Sequence, residues 1–401
     1  MPELRSGLAN DFLPSFGRRL RIGLVGGGAD SVIGRTHLLA MRVDGLYELV
    51  AGSMSIDATI AAKSAARELI VPERCYRDYR EMAEREAKRK DGIDVVAIAT
   101  PPQTHQSIAE TFLRHGIDVI CEKPMTRDLA EAKALARTVA ATGRLFCLTH
   151  CYTGYPMVRE ARAAVLAGLI GRVRLIESEL SAGDPGVARE VADPAKRHWR
   201  FRRESMGPAA LLGEVGSHAF NLTTFITGLR ATAVSAHMAT IAQAREVFDN
   251  AYLTLRYEKD VQGRLWASYV AAGNDHGLWF RIFGDQGSLT WHQEDAEYLW
   301  HKPIGGAAVR LARGYDALSS DSLAGTRLRP GHPEGYVLAF ANLYAEFAAA
   351  LIAKRLSQPY DAYLRLVPGI SDGMAVMAMI EAAQRSHDGN AVWADIARDG
   401  A

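Results

Sequence analysis

Cysteine is scarce in this chain: Cys75, Cys121, Cys147 and Cys151 are four in 401 residues and form no CxxC pair. That excludes a disulfide-stapled scaffold, argues against any metal site, and leads us to expect reduced thiols in a cytoplasmic protein. An excess of one charge is missing too. Lys and Arg number 47 against 46 Asp and Glu, a formal net charge of +1, so no overall field draws the chain to nucleic acid or an anionic membrane, and neither is expected as a partner. Residues Met1–Gly17 carry Glu3, Arg5 and Asp11 and lack a basic start followed by an apolar core, so they are not a secretory signal, and residues 1–19 read as a loose arm. No run approaches the roughly 18 to 20 apolar residues of a membrane span. Internal repeats and low-complexity segments are absent as well.

What is present is the composition of a globular protein, 48% hydrophobic and 23% charged, at a length that suits two domains. From Leu20 onward, β-rich runs at Leu20–Val25, Tyr47–Ser53, Val95–Thr100, Val119–Glu122 and Arg144–Thr149 alternate with helical patterns. This βαβ rhythm predicts an α/β fold, a doubly wound parallel sheet over residues 20–150 with its ligand crevice at the carboxyl ends of the strands. Beyond residue 150 the rhythm changes. Candidate strands Arg174–Leu180, Ala233–Ile241, Ala251–Tyr257, Arg264–Val270, Leu278–Phe283 and Ser288–Trp291 follow one another with short polar joins. They predict a second, α+β domain over residues 151–401 built on a large, mostly antiparallel sheet. Residues 305–335 read as a long loop, and two helices close the chain, the first with Val337, Phe340, Leu343, Tyr344, Phe347 and Leu351 at helical spacing.

The first strand runs into Gly26-Gly27-Gly28-Ala29-Asp30-Ser31-Val32-Ile33-Gly34. A glycine-rich turn between a strand and a helix offers bare backbone N–H groups and a helix dipole to a pyrophosphate. Its last glycine stands six residues after Gly28, where a strict GxGxxG has three. The second strand ends without an acid to grip a ribose hydroxyl; Ser53 or Ser55 could bond either a hydroxyl or a phosphate there, so NAD and NADP stay equally open. The fourth strand ends in Glu122-Lys123-Pro124. Proline holds Lys123 extended at the carboxyl edge of the sheet, where an ammonium can donate to a substrate oxygen.

Val95–Pro102 (VVAIATPP), His105 and Glu122-Lys123-Pro124 together resemble the Gfo/Idh/MocA family of NAD(P)-dependent sugar and inositol oxidoreductases. The resemblance implies a Rossmann domain joined to an open-sheet domain that carries the substrate pocket and an oligomer interface, hence a homodimer or homotetramer. It also implies Thr100, Pro101, His105 and Glu122 beside the cofactor and Lys123 as the catalytic lysine. A second family signature fits Gly207–Thr227 (GPAALLGEVGSHAFNLTTFIT). In it Leu212, Val215, Ala219, Leu222 and Phe225 form an apolar helical stripe, while Glu214, His218 and Asn221 share a neighbouring face. That gives a candidate base, a carboxylate to orient it and an amide donor. The family commonly has Asp at the places of Glu214 and Asn221, so this chain reaches further at one and loses a charge at the other.

Position adds His150, Tyr152 and Tyr155 after the fifth strand, and Asp193, Arg197, His198 and Trp199 ahead of that helix, as substrate-binding candidates, since aromatic rings stack on sugar faces and polar groups bond hydroxyls. Thr149–Pro156 and Gly331–Tyr336 are similar to a longer subgroup of the family that acts on pyranosides and anhydrosugars such as levoglucosan. The expectation is a dehydrogenase that oxidises a secondary hydroxyl of a cyclic sugar or polyol. A dinucleotide-binding sensor or corepressor of the same fold, and an NADPH-dependent keto-sugar reductase, are the alternatives.

Overall fold

The computed structural model describes residues 13–183, 203–207, 209–242 and 245–397. Two units share them: residues 13–126, 130–154 and 335–373 form the first, and most of the remainder the second. Of the expected N-terminal arm, residues 1–12 lie outside the described residues, and Leu13–Phe16 forms one helical turn.

The first unit is built on five parallel strands, β1 Leu20–Gly26, β2 Tyr47–Ser53, β3 Val95–Ala99, β4 Asp118–Cys121 and β5 Phe146–Leu148, in the order β2-β1-β3-β4-β5. Every residue of β3, β4 and β5 is buried, in keeping with their largely apolar sequences. A parallel bridge from Gly52 to Cys75 extends the sheet past β2. The crossover helices begin on polar caps: Ser31 accepts from Gly34 N, Asp57 from Thr59 N and Ile60 N, and Asp78 from Arg80 N.

The helix Tyr336–Arg355 also belongs to the first unit, although it follows the second sheet in sequence. By length and composition it could cross a membrane, which corrects the expectation that no segment approaches a span; Asn342 and Glu346 interrupt the run and hide it from a search for unbroken apolar residues. In the fold it is a core helix, with Phe340, Leu343, Phe347 and Leu351 fully buried.

The second unit carries nine strands: β6 Val173–Ser181, β7 Ala231–Ala239, β8 Asn250–Tyr257, β9 Gln262–Ser268, β10 Leu278–Gly284, β11 Gly287–His292, β12 Tyr298–Pro303, β13 Val309–Ala312 and β14 Ala394–Asp395. Their order is β13-β12-β11-β10-β6-β9-β8-β7-β14, antiparallel throughout except for the β6–β9 pair. The helices Pro156–Leu166 and Ser217–Thr227 pack on one face of this sheet.

Residues 305–335, expected as one long loop, contain β13 and the helix Ser320–Ala324. Arg313 organises the segment. Its guanidinium is almost wholly buried and donates to both Glu297 oxygens, to Glu334 Oε1 and to the Leu328 and His332 carbonyls, while Glu334 Oε1 also accepts from Arg327 N and Leu328 N. The expected outcome of Arg313→Ala is a loss of about 3–5 kcal/mol of stability in chemical denaturation, because Glu334 would stay buried without its cation. A loss within about 1 kcal/mol, the range of an exposed pair, would contradict this account.

Candidate functional site

The glycine-rich turn uses its glycines as steric necessities. Gly26 and Gly27 have φ of +72° and +67°, a region that L side chains avoid. A Cβ on Gly34 would lie 2.2 Å from the Gly27 carbonyl oxygen, so the late third glycine lets the helix Val32–Val43 close directly on the turn. The three added residues are accommodated as a tight loop: Ser31 N bonds Gly28 O at 2.8 Å, and Ala29 N bonds Ser64 Oγ at 2.9 Å. Half-buried Ile33 follows on the first helical turn. This cradle, which a Cβ would fill, fits a dinucleotide phosphate held by backbone N–H groups. A groove beside it is lined by Gly28, Ser31, Arg35, Met54, Ser64 and Arg67.

At the tip of β2, Ser53 is buried, and Ser55 Oγ accepts from Asp57 N. Asp57 spends its carboxylate capping the next helix, so no acid is presented to a ribose by this tip.

Glu122-Lys123-Pro124 continues β4. Glu122 N bonds Ile98 O and Thr149 N bonds Cys121 O, so the segment is stitched to its neighbours on both sides. The Lys123–Pro124 bond is cis, and Lys123 is half-buried. Glu122 is 4% exposed. Its Oε1 accepts from His37 Nε2 at 3.1 Å and Thr149 Oγ1 at 2.6 Å, and its Oε2 accepts from Lys123 N at 3.1 Å. Both oxygens of this expected cofactor contact are therefore engaged inside the unit. Burial pushes the Glu122 carboxyl up, but the His37 hydrogen bond, together with His37 and Lys123 as neighbours, outweighs it and holds the group below the usual carboxylate range.

Thr100 and Pro101 follow β3 as half-buried residues. The ring of His105 is wholly buried, with Nδ1 2.9 Å from Pro124 O and Nε2 2.7 Å from Thr100 O, so it ties the tip of β3 to the lysine segment. His150 lies in the same unit, 1% exposed. Burial first, then the charge of Lys123, pushes its imidazole down to about 3, with Glu122 pulling the other way. Tyr152 is buried with its ring 6.0 Å from that of Tyr336.

In the second unit, residues Leu212–Gly216 form a π-turn that runs into the α-helix Ser217–Thr227. Glu214 lies on the π-turn, and His218 and Asn221 follow at steps of four and three on the helix. All three are buried, at 8%, 8% and 2% exposure. Gly216 allows the turn to pack, since a Cβ there would meet Leu212 Cδ2 at 2.9 Å. Tyr155, of the same unit, accepts from Gln293 Nε2 at 3.2 Å and packs its ring 5.3 Å from that of Trp291. Asp193, Arg197, His198 and Trp199 lie outside the described residues.

Several residues at this site carry no motif. Ser31 was open to detection as a cap three residues before Gly34, but Ser64, Thr149 and above all Tyr344, whose hydroxyl lies 2.6 Å from His37 Nδ1, are brought in by the fold.

A parallel sheet with a glycine cradle at its carboxyl edge, followed by a large open sheet, is the build of a two-domain dinucleotide-binding protein. Comparison with known proteins agrees. Residues 20–150 match the oxidoreductase family with an NAD-binding Rossmann fold, and residues 158–290 match the GFO/IDH/MocA C-terminal domain. The chain belongs to the Gfo/Idh/MocA family and is an oxidoreductase. It is similar to the uncharacterised oxidoreductase YfiI of Bacillus subtilis, 30% identical with 94% of this chain and 96% of that one covered. It is 26% identical to the levoglucosan dehydrogenase of Pseudarthrobacter phenanthrenivorans over 70% of this chain and 76% of that one. An inositol dehydrogenase homologue from Azotobacter vinelandii, solved with NADH and myo-inositol, superposes with a TM-score of 0.87 at 33% identity, covering 94% of this chain and 98% of that one.

Gly34→Ala is expected to weaken dinucleotide binding at least about tenfold by isothermal titration, since the helix must move off the turn to admit the methyl group. Unchanged affinity would contradict the cradle. His150 yields a pH prediction. It is neutral when folded and titrates near 6.5 when unfolded, so the unfolded chain binds the extra proton and stability falls as pH drops from about 6.5 towards 3. The fall of the thermal midpoint between about pH 6.5 and 4.5 should be shallower in His150→Asn; parallel curves would contradict a buried neutral imidazole.

Proposed function

We propose that this oxidoreductase takes hydride from a secondary carbinol of a cyclic polyol, glycoside or anhydrosugar. The observation that carries the reading is the buried triplet of Glu214, His218 and Asn221 on one helical face, in a chain that also fixes Lys123 by its backbone at the carboxyl edge of a dinucleotide-binding sheet. When bound, the nicotinamide supplies the hydride acceptor at its C4. His218 accepts the hydroxyl proton, and Glu214 orients the imidazole. Lys123 donates to the same oxygen and stabilises charge as it develops. Asn221 donates an amide N–H to a neighbouring hydroxyl and brings no negative charge, and His150, Tyr152 and Tyr155 are further substrate-binding residues. The relatives named for inositol and levoglucosan support a cyclic polyhydroxylated substrate.

We also assign the chain a homodimeric or homotetrameric state and a cytoplasmic place. The sheet face that carries exposed Leu175, Tyr252 and Trp300 supports the first, and four free thiols support the second. Light scattering behind a sizing column should give two or four chains, and Trp300→Glu should lower that number. A monomer at micromolar concentration would overturn the assignment.

The catalytic reading is tested by absorbance at 340 nm with NAD or NADP and a panel of inositols, aldoses, glucosides and levoglucosan. Lys123→Met and His218→Asn should each lower kcat by about 10²–10⁴, with dinucleotide affinity within about threefold of the parent. Near-normal turnover in Lys123→Met would overturn it. Silence across the panel, with keto-sugars reduced by NADPH instead, would assign the reverse direction.

A further inference from the structure

His37 stands on the helix that follows the glycine-rich turn, 85 residues before Glu122, and Tyr344 stands 307 residues beyond His37 on the helix Tyr336–Arg355. The three meet in the buried interior of the first unit. Tyr344 OH lies 2.6 Å from His37 Nδ1, and His37 Nε2 lies 3.1 Å from Glu122 Oε1. An ionised carboxylate only accepts, so Nε2 carries a proton and donates. The ring of His37 is completely buried and packs edge-on against the rings of Phe340 and Tyr344, which fixes its plane. Tyr47 OH donates to the carbonyl of Tyr344 at 2.8 Å, so the position of that residue on the helix is fixed as well. From the other side Thr149 Oγ1 donates to the same Glu122 oxygen at 2.6 Å, and Lys123 N donates to Oε2 at 3.1 Å.

We infer that His37, Thr149 and Tyr344 are positioning residues for Lys123: they hold the Glu122 side chain so that its Oε2 fixes the backbone from which the lysine projects. The geometry admits little slack. The carboxylate is bonded through both oxygens, two of its donors are themselves immobilised by aromatic packing or by the sheet, and the third is the amide of the lysine itself. Loss of the Thr149 hydroxyl takes a donor from the carboxylate, and loss of the Tyr344 hydroxyl leaves His37 Nδ1 short of a partner and the imidazole that holds Oε1 free to tilt; in either case the carboxylate turns. Lys123 N is then released. Side chains that orient a reacting group in this way cost turnover far more than binding when removed, since small displacements of a reacting atom are amplified in rate.

This inference rests on the reading of Lys123 as the group beside the nicotinamide, and the experiment separates the two. Lys123 is labelled with acetic anhydride in the full-length protein with and without saturating NAD+, and its modification is read by peptide mass spectrometry against Lys88 and Lys354 as internal references. The variants are Tyr344→Phe, which keeps the ring, Thr149→Val, which keeps the shape, and Thr149→Ser, which restores the hydroxyl. In the parent, NAD+ should slow labelling of Lys123 about fivefold or more. In Tyr344→Phe and Thr149→Val, Lys123 should be labelled several-fold faster than in the parent and should lose most of that protection, while the reference lysines and the dinucleotide affinity stay within about threefold. Thr149→Ser should behave as the parent. With a substrate in hand, the two disruptive variants should lower kcat about 10- to 100-fold with KM nearly unchanged. Parental labelling and protection in both disruptive variants would overturn the inference; a rise in all lysines together would reduce the network to a structural one and overturn it equally. Absence of NAD+ protection in the parent itself would instead overturn the placement of Lys123 beside the nicotinamide.

Discussion

A carboxylate in a dry interior persists only where donors surround it, and the first unit is organised around one, Glu122. Its three donors come from separate stretches of chain, His37 after β1, Thr149 after β5 and the amide of Lys123, and a fourth stretch adds Tyr344 behind His37. Satisfying that carboxylate gives a physical reason for a long apolar helix to return to the Rossmann unit after the second sheet has been built. The helix Tyr336–Arg355 fills the core with Phe340 and Phe347 and, at Tyr344, presents the hydroxyl that braces His37. Packing and polar satisfaction are thus supplied by one element.

The same economy governs the dinucleotide end. Ser31 caps the helix that Gly34 brings against Gly27, and Ser64 anchors the inserted residues at Ala29. His37 lies on that helix, so one element both closes the phosphate cradle and braces the lysine segment. In the second unit, a π-turn that carries Glu214 runs directly into the helix that carries His218. Single π-turns inside α-helices are rare and occur frequently at functional sites.

Much of this architecture was legible in the sequence, for reasons that differ by element. Buried parallel strands such as Val95–Ala99 announce themselves as short apolar runs, and the period of two exposes β8, where Tyr252, Thr254 and Arg256 alternate with buried neighbours. The glycine-rich turn was visible because backbone with positive φ calls for glycine, although its last glycine comes late, and Glu122-Lys123-Pro124 was visible through its resemblance to a family motif. Sequence spacing also put Glu214, His218 and Asn221 on one face, but it gave no sign of the π-turn, since glycines at 213 and 216 read equally well as a frayed helix start. The parallel β6–β9 pair, the strand β13 within residues 305–335 and the clasp around Arg313 escaped because they depend on partners elsewhere in the chain. Glu122 reads as a cofactor contact in a motif and as a framework carboxylate in the fold, and Tyr344 reads as one more apolar residue in a stripe until His37 is placed beside it.

The central claim is hydride transfer from a secondary carbinol, aided by Lys123. It is tested most directly with a cyclic polyol or anhydrosugar carrying deuterium on its carbinol carbons, incubated with the oxidised dinucleotide and either the parent protein or Lys123→Met. The account predicts that mass spectrometry will find one deuterium in the reduced nicotinamide formed by the parent and almost none with the variant. Reduced dinucleotide without deuterium, or equal deuterium transfer by the variant, would contradict it.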